Sequence, residues 1–292
     1  MTHSESSYFV PEPSRWPLVG SVGLFLLMMG AALLLNDKTT AGAYTLGLGF
    51  LVFVNMLFGW FGAVIGESRG GRYNDQVDAS FRWGMGWFIL SEVMFFAAFF
   101  GALFYARHFA VPWLGGSGDK AITHEVLWPS FVATLPLLQL PNPENFTIAK
   151  EGMQAAGLAA VNTAILLSSG VTVTWAHWCL KTNRPRQVVV GLALTVALGV
   201  LFLAFQAHEY WDAYTLMNLR LSSGIYGSTF FMLTGFHGAH VTIGAIMLSV
   251  ILVRAARGHF TARHHFAFEA VSWYWHFVDV VWLGLFVFVY LL

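Results

Sequence analysis

Apolar runs of membrane-crossing length alternate with short polar joints along the chain. A bilayer asks for about 20 consecutive apolar residues per helix. On that measure the pattern predicts seven spans, at about 17–35, 42–66, 83–105, 154–180, 188–208, 224–253 and 270–292. The joints at 36–38, 67–82, 181–186 around Pro185, and 254–265 carry the turn and charge signals of loops. Residues 106–152 do not form a span. Pro112, Pro129, Pro136, Pro141 and Pro143, with several charges, predict a structured external loop with short apolar patches. The residues ahead of Trp16 are polar, include Pro11 and Pro13, and lack the basic start of a cleaved signal peptide. Two regions follow: 1–70, a tail with helices 1–2, and 71–292, helices 3–7 with a long outer loop. No internal repeat is visible, which argues against a stand-alone inverted-repeat transporter.

Composition settles the solvent. The chain is 57% hydrophobic and 10% charged, against about 25% charged in a soluble domain. Its mean hydropathy is +0.63. So little polar surface implies an all-α integral membrane protein. The formal net charge of zero gives no reason to expect nucleic acid. One cysteine, Cys179, excludes an intramolecular disulfide and any CxxC motif. Ten of the basic residues (Arg15, Arg69, Arg72, Arg82, Lys181, Arg184, Arg186, Arg254, Arg257 and Arg263) fall on the side of the N-terminus. Lys38, Arg107, Lys120, Lys150 and Arg220 fall on the other. The bias predicts the N-terminus inside and the C-terminus outside. Trp16, Trp83, Tyr105, Trp178, Trp273 and Tyr290 lie near span ends, as interfacial belts do.

Candidate chemistry sits inside the spans. Glu92 lies about 15 Å deep in span 3, where a charge costs at least ~2.5–3.5 kcal/mol, so the acid is protonated or paired. His240 lies ~21 Å from the same face, and His276 and Asp279 ~10 and ~15 Å. His237/His240 and His276/Asp279 are i,i+3 pairs that each share a helix face. If spans 3, 6 and 7 adjoin, these groups form a buried polar cluster of Glu92, His240, His276 and Asp279, with a Glu92–His240 hydrogen bond at its centre. Two readings stand: a proton relay or its modulator, and a structural pair that fixes helix packing. No row of acids continues from Glu92 to either face. Two histidines three apart can hold a metal, and facing histidines a haem. Gly235, Gly238 and Gly244 point instead to close helix approach, and no metal ligand set is expected. His264 and His265 read as solvated or lipid-facing, His177 and His208 as interfacial. No nucleophile set, phosphate loop or paired-carboxylate site occurs. A retinal pump would need a lysine in the last span, and Lys38, Lys120, Lys150 and Lys181 all lie elsewhere.

Several long strings carry a resemblance. They are SEVMFF at 91–96, SGVTVTWAH at 169–177, QAHEY at 206–210, YGSTFFMLTGFHGAHV at 226–241 and FAFEAVSWYWHFVDVVWL at 266–283. Together they resemble cytochrome c oxidase subunit III from about Arg82 to the end. The resemblance implies a non-catalytic subunit III of an aa3-type cytochrome c oxidase, with helices 1–2 split from a five-helix bundle (3–7) by a lipid-holding cleft. Such a subunit packs on the catalytic subunit I beside subunit II. It holds phospholipids and supports proton uptake and turnover stability while the complex reduces oxygen to water. It carries no cofactor of its own. Haem a and copper belong to the partner subunits, and cytochrome c is the electron donor to the complex. The family's span-3 acid falls on Glu92, and its lipid contacts on Glu67 and Arg254. The implied location is a bacterial plasma membrane or a mitochondrial inner membrane. The equivalent subunit of a quinol oxidase or a nitric-oxide-reductase accessory is an alternative within the family. The chain departs from the pattern at WFGAVIGE, 60–67, which lacks the usual arginine and aspartate, and at 142–157, which looks like an insertion.

Overall fold

The computed structural model describes Phe9, Val10 and residues 12–292, and the reading of the tail at 1–8 and Pro11 lies outside them. The described residues are helical and contain no strand. In chain order the helices are α1 (Trp16–Leu35), α2 (Thr39–Arg69), α3 (Asp75–Tyr105), the short α4 (Val111–Leu114) and α5 (Ala121–Leu127), then α6 (Ala160–Lys181), α7 (Pro185–Thr215), α8 (Gly224–Ala256) and α9 (Phe266–Leu285). Seven helical stretches are long and apolar enough to cross a membrane. These are the seven that the hydrophobic pattern predicts. Helix α3 starts well before the expected 83. The Asn74 side chain accepts a hydrogen bond from the Val77 N–H at 3.0 Å, which caps the first turn. Arg82 and Asp78 pair at 2.7 Å one turn apart. Polar residues read as a joint are therefore a helical extension.

The chain divides into two compact units, residues up to Trp83 and residues from Gly84, with α3 running from one into the other. In the first, α1 and α2 form a hairpin. Its turn places Asp37 at φ 60°, and the Asn36 amide donates to the Ala32 carbonyl at 2.8 Å. Glycine brings the two helices together. A Cβ on Gly30 would stand 2.5 Å from the Leu46 backbone nitrogen, and one on Gly49 2.6 Å from that of Leu27. Small residues let membrane helices meet backbone to backbone in this way.

In the second unit α6, α7, α8 and α9 pack in order, and α9 closes back on α6. Trp275 and Trp282 are fully buried at the centre. Their indole N–H groups donate to Ser169 and Thr163 of α6, both at 2.9 Å. The Trp275 ring fills the space left by Gly199 of α7 and Gly244 of α8, where a Cβ would come within 2.8 Å of it. Of the three glycines of α8 expected to mark close helix approach, Gly244 alone does so, and it admits an indole rather than a backbone. A Cβ on Gly238 would meet nothing within 4 Å. Helix α3 rests on α8 and α9 through aromatic rings instead: Phe95 on Phe236 at 5.0 Å, Phe96 on Phe277 at 6.0 Å and Phe88 on Tyr274 at 6.2 Å. Such rings hold the backbones apart and leave a layer in which polar side chains can sit.

Segment 106–152 is structured and does not form an independent span. Arg107 donates to the Phe288 carbonyl at 3.0 Å. The stretch read as an insertion, 142–157, straps the connection between α7 and α8. Thr147 N–H donates to Ser222 O at 3.0 Å and Lys150 N–H to Met217 O at 2.8 Å. The Asn218 amide donates to Ile148 O at 2.9 Å, and Met153 N–H to the Tyr226 hydroxyl at 2.8 Å.

Candidate functional site

Glu92 of α3 and His240 of α8 face each other across the aromatic layer, with Oε2 and Nε2 2.9 Å apart. The other histidine nitrogen fixes the chemistry of the contact. Nδ1 lies 2.6 Å from the Phe236 carbonyl one turn back. A carbonyl only accepts, so Nδ1 carries a proton. The Glu92 contact then holds one further proton between carboxyl and imidazole, as a neutral acid donating to nitrogen or as a carboxylate accepting from imidazolium. Phe96 at 4.9 Å and Phe95 at 5.8 Å enclose the imidazole, and Tyr274 stacks on it at 6.4 Å. The Tyr274 hydroxyl donates to the His240 carbonyl at 3.4 Å. The side chains are 22% (Glu92) and 14% (His240) exposed. The shared proton therefore lies at the margin of this unit, within reach of a neighbour, rather than sealed inside it.

The single cluster of four polar groups does not form. His276 and Asp279 make their own pair, Nδ1 to Oδ2 at 3.5 Å. His276 Nε2 meets Thr174 Oγ1 of α6 at 3.1 Å. A Cβ on Gly170 of α6 would clash with the Asp279 carboxylate. The reason is angular. Tyr274 and Phe277 turn toward His240, and at about 100° per residue position 276 lies some 200° from position 274. Matching depth put the two pairs level, but helix rotation sent them to different faces. His276 is also 45% exposed, so it is not buried. With Gly170, Thr174 and Trp178 it lines an open groove between α6 and α9.

His237, one turn from His240, is fully buried. Its Nε2 meets the Val278 carbonyl at 3.2 Å, and its ring packs on Trp282 at 5.0 Å and Phe202 at 5.7 Å. The two histidines address different partners, so the spacing does not converge on a metal or haem position.

The residues assigned to lipid are placed separately. In the first unit Glu67 accepts a hydrogen bond from the Tyr73 hydroxyl at 2.7 Å. Burial, then this bond and the charge of Glu67, push the Tyr73 pKa well above its ordinary value. In the second unit the Arg254 guanidinium lies 4.6 Å from the centre of the Phe260 ring.

Two constellations were not anticipated. Glu209 of α7 is buried and accepts a hydrogen bond from Tyr290 at 3.0 Å. Tyr290 is itself buried, so it belongs to the core and not to an interfacial belt. The signal available in the sequence was the i,i+3 spacing of Gln206 and Glu209 on one helix face. The second gathers His177 at the end of α6 with His265 and Glu269 at the start of α9. Their ligand atoms all lie within 4.8 Å of one another. His265 is buried, contrary to its reading as solvated or lipid-facing, because it opens α9 against α6. Its spacing of four from Glu269 was the legible clue.

Residues 6–292 match the family model described as cytochrome c oxidase subunit III. The chain is similar to cytochrome c oxidase subunit 3 of Formosania lacustris and of Gadus morhua. Each is 39% identical over 292 residues, covering 99% of this chain and 98% of the relative. The protein of that name from Equus asinus is 39% identical over 291 residues, with the same coverage. The chain is thus a respiratory-chain membrane protein that associates with other oxidase subunits, and it belongs to the cytochrome c oxidase subunit III family.

Proposed function

We propose that the chain is the non-catalytic subunit III of an aa3-type cytochrome c oxidase, packed on subunit I beside subunit II. Cytochrome c supplies electrons to the complex, and haem a and copper sit in the partner subunits. The subunit holds phospholipids and sustains proton uptake and turnover. Its helices lie in a bacterial plasma membrane or a mitochondrial inner membrane, with the N-terminus inside as the basic residues are distributed. Headgroups engage the Glu67–Tyr73 corner and Arg254, where a guanidinium suits a phosphate.

The observation that carries this reading is the Glu92–His240 contact. It holds one exchangeable proton in an apolar layer, at the margin of its unit, and among the described residues no second acid is bonded to the pair. Such a pair suits a modulator of a neighbour's proton path better than a path of its own. The test begins with the complex purified from native membrane in mild detergent. Its visible spectrum and metal content should show haem a and copper, and separation of the subunits should leave neither on this chain. Glu92→Gln in the same complex should keep assembly and cytochrome c oxidation near wild type at first. It should then shorten the number of turnovers before inactivation, or lower proton uptake. A variant indistinguishable from wild type in sustained turnover and proton uptake overturns the assignment of Glu92. A chain that purifies without a haem-bearing partner overturns the whole reading.

A further inference from the structure

We propose that the groove between α6 and α9 binds one phospholipid with an anionic headgroup, its acyl chain lying between the helices and its phosphate at Arg184. The site adds to the lipid contacts proposed above and depends on neither Glu67 nor Arg254.

The groove has a volume of about 680 Å³. Its α6 wall is one stripe, because Leu167, Val171, Thr174 and Trp178 recur at spacings of three and four and so share a helix face. His276, Val280 and Leu283 line the α9 wall at the same spacings. The polar atoms of these walls are turned toward one another. The Thr174 hydroxyl donates to the Gly170 carbonyl at 2.9 Å, so its oxygen accepts from His276 Nε2 at 3.1 Å. Nε2 therefore carries a proton, and Nδ1 faces Asp279 at 3.5 Å. Asp279 is buried beneath, while Leu167, Val171, Val280 and Leu283 are exposed. The surface offered to a visitor is carbon.

The mouth is different. One turn beyond Trp178 the α6 stripe reaches Lys181, the last residue of the helix. The Arg184 guanidinium lies 5.2 Å from the centre of the Trp178 ring. Arg186 follows, and the first acid after Trp178 in the chain is Glu209. A tryptophan at this level is the usual interfacial anchor, and a guanidinium beside it suits a phosphate.

Length completes the fit. From Leu167 to Trp178 the chain advances eleven residues, ~16 Å at helical rise. That is about half of the ~30 Å hydrocarbon core, the depth of one leaflet. A single anionic end, an aromatic collar and carbon walls one leaflet deep describe a phospholipid. A free anion has no use for the walls, and an uncharged lipid has none for the mouth.

The test uses the full chain, with whatever subunits purify with it, in phosphatidylcholine vesicles. The vesicles contain a trace of phosphatidylglycerol with a photoreactive group near the end of its acyl chain. After illumination, mass spectrometry of peptides should place adducts around Leu167 and Leu283, at the deep end of the groove. Unlabelled phosphatidylglycerol should compete about fivefold better than phosphatidylcholine, the weight of one basic residue beside an anionic surface. Arg184→Gln should remove most of that preference and leave the melting temperature unchanged. Val171→Trp fills the groove and should abolish the adducts, whereas Val200→Trp, at an exposed position of α7, should not alter them. Adducts on the peptides holding Glu67 and Arg254 report those assignments separately. Four results overturn the site: adducts spread evenly over the exposed positions of all the helices, as ordinary surrounding lipid gives; equal competition by the two lipids; adducts that survive Val171→Trp; or no adducts because another subunit covers the groove. The wild-type adduct map and competition decide the matter even if Val171→Trp fails to fold.

Discussion

The Glu92–His240 contact predicts an interaction energy that a double-mutant cycle can read. Neutral interhelical hydrogen bonds in membrane proteins average ~0.6 kcal/mol and reach ~1.7. Those with an ionised member are roughly twice as strong. At 2.9 Å, enclosed by Phe95, Phe96 and Tyr274, this pair should couple by about 1–2 kcal/mol. The single variants should differ in kind. Glu92→Leu removes one partner and leaves His240 able to turn to its exposed side. His240→Leu strands a carboxyl group in an aromatic layer and should cost ~1–3 kcal/mol. Glu92→Leu with His240→Leu should cost less than the two added. Glu92→Gln is the discriminating case. With Nδ1–H held by Phe236, His240 Nε2 is an acceptor and the glutamine amide can donate to it. Stability should stay within about 0.5 kcal/mol of wild type, the level at which independent sites already add. The assay is equilibrium unfolding of the full chain in mixed micelles, with helix content as the signal. A coupling below ~0.3 kcal/mol, or a Glu92→Gln variant as unstable as Glu92→Leu, would refute the shared-proton geometry.

Two further outcomes follow from the packing. Gly30→Ala and Gly49→Ala place a methyl group 2.5–2.6 Å from the facing backbone and should each cost ~1–3 kcal/mol by overpacking. Gly47→Ala, where a Cβ meets nothing within 4 Å, should be neutral, and limited proteolysis of the hairpin can rank the three. Tyr290→Phe removes the hydroxyl that donates to buried Glu209 at 3.0 Å. It should lower stability by ~1–3 kcal/mol, seen as a fall in melting temperature that Glu209→Gln in the same background partly relieves.

Span number, span order and the identity of the intramembrane polar residues were all legible in the linear chain. Each follows from local chemistry. Roughly 20 apolar residues cross a bilayer whatever their neighbours, and a carboxylate among them is conspicuous in any fold. Depth was legible too, because helical rise is constant, and depth suffices to pair Glu92 with His240 across two helices. Rotation was not. Asp279 matches Glu92 in depth, yet it faces Gly170 of α6, because the turn of α9 about its own axis is set by Trp275 and Trp282 reaching Ser169 and Thr163.

The same distinction covers the rest. The sequence by itself determined that this is a seven-span membrane protein of its family, since hydrophobic length and long shared strings need no partner to be read. Only the tertiary structure decided which polar groups meet. It set Tyr290 inward on Glu209, drew His265 out of its loop toward His177, strapped residues 147–153 onto the α7–α8 connection, and let Gly244 admit an indole. These contacts join residues far apart in the chain through the packing of large rings against small gaps. Which ring fills which gap is a property of the assembled helices and of no single one.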